Sequence, residues 1–138
     1  MGATIATWNV NSLRARIDPV INWLETHPVD VLALQETKTP DEHFPIEPFS
    51  ELGYHVHFSG QKAYNGVAFI SKQPLKVEHT ALPGFDDHEK RFLAATTHDQ
   101  LHIVNVYVPN GRDLSSDKFQ YKLNWLKALT HYLRDASQ

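Results

Sequence analysis

The chain has 138 residues, no cysteine and a formal net charge of −3 at pH 7. Its length suits one domain or part of one, able to bury about two thirds of its unfolded surface. The missing cysteines exclude a disulfide framework, a thiolate metal site and a cysteine nucleophile, while the slightly acidic balance advertises no basic nucleic-acid surface and still leaves room for a local basic groove.

Hydrophobic residues make up 41% and charged residues 21%, the mixture of an ordinary soluble globular chain. No apolar run reaches membrane-spanning length, and strand-like alternation from Ala3 leaves no signal-peptide pattern. A cytoplasmic protein with no membrane partner is expected.

Residues 3–10 alternate as a strand, with Ile5, Thr7 and Asn9 on one face and Ala6, Trp8 and Val10 on the other. Asp18-Pro19 predicts a helix start, an N-cap followed by proline. Ile17, Val20, Ile21 and Leu24 then recur at helical spacing, and His27-Pro28 ends the helix. Residues 29–35 are apolar at nearly every position, as in a strand covered on both faces. Strand, helix and strand in this order predict a right-handed crossover and parallel pairing.

Prolines 40, 45 and 48 and Gly53 punctuate a loop with one short helix over 47–52. Short strands follow over 54–59, 66–71, 75–79, 92–98 and 101–108, separated by turn residues that favour antiparallel hairpins. Ser115 or Ser116 caps a final helix to about Arg134, with Phe119, Leu123, Leu126 and Leu133 on its buried face. The fold class is α/β, with one mixed β-sheet and flanking helices. Helices cover one face of such a sheet. The other face, carrying Val104, Val106, Ile70 and Ala68, is expected to lack a covering layer and to drive self-association.

Polar residues end the apolar strands: Asn9 in TWNVN, Glu36 in LALQETK and Tyr107 in VNVYVPNG. If the first two strands are parallel neighbours, Asn9 and Glu36 emerge at one edge, and Tyr107 can join them. A carboxylate, an amide and a phenol suit a hydrated hard cation and a phosphate oxygen, because Mg2+ takes only one or two protein carboxylates. Each residue also has a plainer reading. Glu36 could be a solvated strand-end carboxylate, Asn9 a turn former, and Tyr107 a core aromatic with its hydroxyl at the rim. Trp8, Trp23 and Trp125 fit core packing, and His55-x-His57 has no third ligand at zinc spacing.

TWNVNSLRARI, DVLALQETK, YNGVAFISK, KRFLAAT and VNVYVPNGR occur in this order. From Thr4 to the last helix the set resembles the N-terminal half of the exonuclease III-like abasic-site (AP) endonuclease family. That family lies within the endonuclease/exonuclease/phosphatase superfamily. The resemblance implies one half of a DNase I-like four-layer α/β-sandwich and a Mg2+-dependent DNA repair nuclease, with Mn2+ as the alternative ion. It implies double-stranded DNA with abasic sites or 3′ ends as partner.

It further implies that Glu36 binds the metal and that Asn9 stands beside it in the metal and catalytic cluster. By the same resemblance Tyr107 is expected to contact the scissile phosphate and Asn110 to be a phosphate-contacting position. Arg14 and Arg112 fall where relatives place DNA-contacting basic residues, with Asn11, Lys38 and Arg91 as further DNA-binding positions; for each basic residue plain surface solvation is the competing reading. The family's Asp-x-Asn motif, a further aspartate and a terminal Ser-Asp-His motif match nothing in this chain. Asp86-Asp87-His88, the nearest imitation, reads as a solvated loop. The chain is therefore expected to be the N-terminal part of a domain whose C-terminal half is absent, and to be inactive alone. Two other readings stay open: a different superfamily phosphoesterase, or a non-catalytic DNA-binding half-domain.

Overall fold

The computed structural model describes residues 3–85, 87–111 and 116–137. Strand β1 (Ile5–Asn9) leads through a 3-10 turn at Arg14–Arg16 into helix α1 (Ile17–Thr26) and then strand β2 (Val31–Gln35). β1 and β2 pair in parallel, with Asn9 opposite Gln35, as the crossover predicts. The helix starts earlier than expected. Asp18 lies inside its first turn, and Arg16, at the N-cap, makes no side-chain capping bond. Fully buried Leu13 anchors the preceding turn by donating its N–H to Thr37 O and accepting from Arg16 N, so the turn runs straight into the helix.

Helix α2 (Glu47–Glu51) precedes strands β3 (His55–Ser59) and β4 (Val67–Ser71), which pair antiparallel. Strands β5 (Lys76–His79), β6 (Phe92–Thr96) and β7 (His102–Val106) form consecutive antiparallel pairs before helix α3 (Asp117–Ala136). Ser116 caps α3 by accepting the Phe119 N–H.

The α/β class stands, but the single sheet does not. The strands form two sheets, a mixed one ordered β1-β2-β4-β3 and an antiparallel one ordered β5-β6-β7. The chain changes sheet after β4, where the Ser71 hydroxyl donates to Gln73 O and Leu75 enters the space between the sheets. Strand periodicity states which residues share a face. It does not distinguish a neighbour within a sheet from a strand facing it.

Consequently the expected bare face is covered. Val31, Ala33, Val67 and Phe69 of the mixed sheet pack against Leu75, Leu93, Ala95 and Ile103. Ala68 and Ile70, expected on an open face, are fully buried in the core with Val20, Leu24 and Phe49 from the helices. Val104 and Val106 pack beneath α3. The order of layers is helix, sheet, sheet, helix. The face of α3 also differs from expectation: Tyr121, Trp125, Leu126, Leu129 and Tyr132 face the sheet, whereas Leu123 and Leu133 are each 44% exposed. Leu126 lies on the buried face as expected, whereas Leu123 and Leu133 do not, because Tyr121, Trp125 and Tyr132 set the stripe.

His57 Nε2 accepts the Leu75 N–H at 3.2 Å, joining β3 to the crossing segment. Burial, with His55 nearby, pushes its pKa down. An unfolded histidine titrates near about 6.5. The stabilisation is therefore complete above that value and is lost as pH falls from it toward the lowered folded pKa, because the unfolded chain takes up the proton first. Urea midpoints measured from pH 7.5 to 5 are expected to fall less steeply in His57→Gln than in the unaltered chain. Parallel curves would contradict this role.

Candidate active site

Alternation on β2 sends Val31 and Ala33 toward the second sheet and Leu32 and Leu34 toward the helices. Continued strand geometry would send Glu36 after Leu34, away from Tyr107. Glu36 instead has φ +55°, a left-handed backbone that ends the strand and re-aims the carboxylate. Asn11, Ser12 and Lys38 are left-handed too, at φ +45°, +88° and +55°. Such conformations cost on the order of 1–3 kcal/mol each outside glycine and persist where their surroundings over-determine them.

The surroundings here do so. Ser12 N donates to Glu36 O and Leu13 N to Thr37 O, while Thr37 N donates to Gly66 O and Lys38 N to Asn65 O. Gly66 fits because its φ is +97° and an added Cβ would lie 2.1 Å from Thr37 Oγ1. The loops that carry Asn11 and Lys38 are joined by a 2.6 Å bond from Lys38 Nζ to Asn11 Oδ1.

Tyr107 follows β7 and packs at the rim of the core between the sheets. Its phenol lies within interaction range of the Glu36 carboxylate. Burial first, then the hydrogen-bonding contact with Glu36, pushes its pKa up, so it carries its proton at neutral pH. Arg91 lies over the Tyr107 ring at 4.9 Å and that of Tyr121 at 5.8 Å. Its guanidinium donates to Glu89 Oε1 at 2.8 Å and to Tyr107 O at 3.2 Å. Tyr121 donates to Asp87 Oδ2, and its pKa is raised by burial and then by that bond.

The structure thus brings together Glu36 and Tyr107, from facing sheets. Asn9 emerges at the same edge, exposed, with its Oδ1 accepting the Asn11 N–H. Asn110 is exposed and, with Arg91, Tyr107 and Lys118, lines a cavity of about 420 Å³. Arg14 is exposed on the 3-10 turn. The Arg91 side chain is only 11% exposed and is engaged within the chain. Arg112 and Asp86 lie outside the described residues. Asp87 is tied to Tyr121 and to Glu89 N, which gives it a structural use.

Sequence reasoning passed over Gln35, Glu89, Asn105 and Tyr121. Gln35 and Asn105 carried a signal, since each is an amide inside an otherwise apolar strand. No group of three or more His, Cys, Asp or Glu able to hold a metal occurs among the described residues. Oxygen donors around a single carboxylate fit a hard cation that keeps most of its waters, and no softer one.

Comparison with known proteins supplies the context for this geometry. Residues 6–137 match the Endonuclease/Exonuclease/phosphatase family. Exodeoxyribonuclease III of Haemophilus influenzae is 38% identical over 132 residues, covering 92% of this chain and 49% of that protein. The structure of the 3′ phosphatase NExo from Neisseria bound to a product DNA hairpin superposes with a TM-score of 0.94 at 43% identity, over 99% of this chain and 53% of that one. An AP endonuclease from Archaeoglobus fulgidus gives 0.92 at 42% identity, over 97% and 52%. The chain spans about half the length of the relatives it matches. It has the DNase I-like architecture of these neighbours over the part it covers, and it belongs to the endonuclease/exonuclease/phosphatase family.

Proposed function

We propose that this chain is the N-terminal part of a DNA repair nuclease of the exodeoxyribonuclease III and AP endonuclease type. Its reaction is hydrolysis of DNA phosphodiesters 5′ to abasic sites and at 3′ ends, including 3′-phosphoester removal. The observation that carries this reading is the meeting of Glu36 with a protonated Tyr107 across two sheets, in a chain of this family. A cytoplasmic place of work belongs to the same reading. Among the described residues no helix is long and apolar enough to cross a membrane.

Glu36 would hold Mg2+, or Mn2+ in its place, with Asn9 beside it. The ion would neutralise negative charge developing on the reacting phosphate. Tyr107 keeps its proton and, with Glu36 turned to the ion, would donate its single O–H to a phosphate oxygen instead, a contact that strengthens as charge builds. Asn110 lines the adjoining cavity and contacts the same strand. Arg14, Arg112, Lys38 and Asn11 meet flanking phosphates. Arg91 acts from behind Tyr107, where its charge adds to the field on the DNA strand. Groups that activate water belong to the remainder of the domain.

The strand edges support a docking place for that remainder. β1 and β7 are edge strands of their sheets, and β7 lies over β2 and β4, so the two open edges share a flank. Ile5, 45% exposed, lies on this flank, and a recess between Trp8 and Trp23 adjoins it. Unpaired strand edges recruit further strands, and relatives carry about as much chain again. Self-association, placed here rather than on a bare sheet face, is the competing use of the flank.

Glu36→Ala in the complete domain is expected to lower Mg2+-dependent incision of abasic-site DNA by about 10²-fold or more. Retained activity would contradict the metal role. The 138-residue chain assayed alone is expected to show no incision, and robust turnover would overturn its half-site character.

A further inference from the structure

We propose that Asn105, acting with Gln35, is a positioning residue that sets the approach of Tyr107 to Glu36. The inference rests on the functional reading of those two groups. Asn105 is 3% exposed and stands two residues before Tyr107, on the same inward side of β7 as Ile103. Its Nδ2 donates to Leu34 O at 3.0 Å and to Ala68 O at 2.8 Å, residues that are paired between β2 and β4. Its Oδ1 accepts from Gln35 Nε2 at 2.9 Å, and Gln35 also donates to Thr7 Oγ1 of β1 at 2.8 Å. One side chain of the second sheet is thereby tied directly to two strands of the first and, through Gln35, to a third.

The place of this tie sets its consequence. Gln35 immediately precedes Glu36, and Asn105 is one strand repeat before Tyr107. Around it the contacts between the sheets are apolar, and the other polar ties, such as Ser59 Oγ to Thr80 O and Leu75 N to His57 Nε2, lie on the β3 side, away from Tyr107. Apolar burial is non-directional and tolerates sliding of one sheet over the other. Hydrogen bonds at fixed donors and acceptors do not tolerate it, and a fully satisfied buried network specifies one arrangement. No buried side-chain nitrogen or oxygen among the described residues lacks a partner. A slip of one residue moves a strand by about 3.3 Å, enough to part Tyr107 from Glu36. A buried amide whose hydrogen bonds are all made adds only modestly to stability. It is an effective choice for register.

The test uses the 138-residue chain and titrates Mn2+, read as free ion by electron paramagnetic resonance. The unaltered chain is expected to bind and Glu36→Ala to lose binding. Asn105→Ala is expected to weaken affinity by about tenfold or more, the loss typical when a group that orients a metal ligand is removed. Ile103→Ala, an apolar truncation on the same strand face, serves as the stability control and is expected to leave affinity unchanged. Crystal structures of the two variants should show the Tyr107–Glu36 contact opened only in Asn105→Ala. If Asn105→Ala does not fold, Gln35→Ala removes the bridging arm alone and should weaken binding in the same direction. Binding that depends on Glu36 but is equal in the Asn105, Gln35 and Ile103 variants would overturn the positioning role and leave the functional reading standing. No Mn2+ binding by the unaltered chain would overturn both.

Discussion

Everything distinctive in this chain depends on the contact between its two sheets. Residues of β2 and β4 press on residues of β6 and β7, and each sheet is covered behind by helices. Glu36 belongs to one sheet and Tyr107 to the other. Neither meets the other through its own hairpin or crossover. The juxtaposition of these two side chains therefore exists only when the two sheets are assembled, a consequence of tertiary packing and not of any local motif.

The second constraint is backbone strain at the ends of β1 and β2. Left-handed residues at Asn11, Ser12, Glu36 and Lys38 lie within two adjoining loops. Concentration of unfavourable backbone at one place is a usual property of sites that hold side chains against their local preference. The bonds from Thr37 and Lys38 to Gly66 and Asn65 connect these loops to the start of β4, and Gly66 N reaches Lys90 O beside Arg91. Glu36, Tyr107 and Arg91 thus share one rigid frame. Arg91 is held in that frame with most of its donors committed to Glu89 and to Tyr107 O.

Much of this was legible in the sequence. The parallel pairing of β1 and β2, the short helix α2 and the capped start of α3 follow from periodicity and cap chemistry, which act locally. The meeting of Glu36 and Tyr107 followed from strand ends converging at one edge. The assignment of strands to two sheets was not legible, because Ala68, Ile70, Val104 and Val106 are apolar whether a helix or another sheet covers them. The re-aiming of Glu36 was hidden too, since a positive φ at glutamate has no signature in residue type. Asn105 was the overlooked clue: a buried amide in an apolar strand must find partners, and only the facing sheet could supply them.

The most direct measurement is the anomalous scattering of crystals of this chain soaked in millimolar Mn2+. A peak bonded to the Glu36 carboxylate, on the side of Tyr107 and Asn9 and absent from Glu36→Ala crystals, is the expected result. A peak elsewhere with none at Glu36 would contradict the assignment of this strand end as the metal-binding part of a nuclease site.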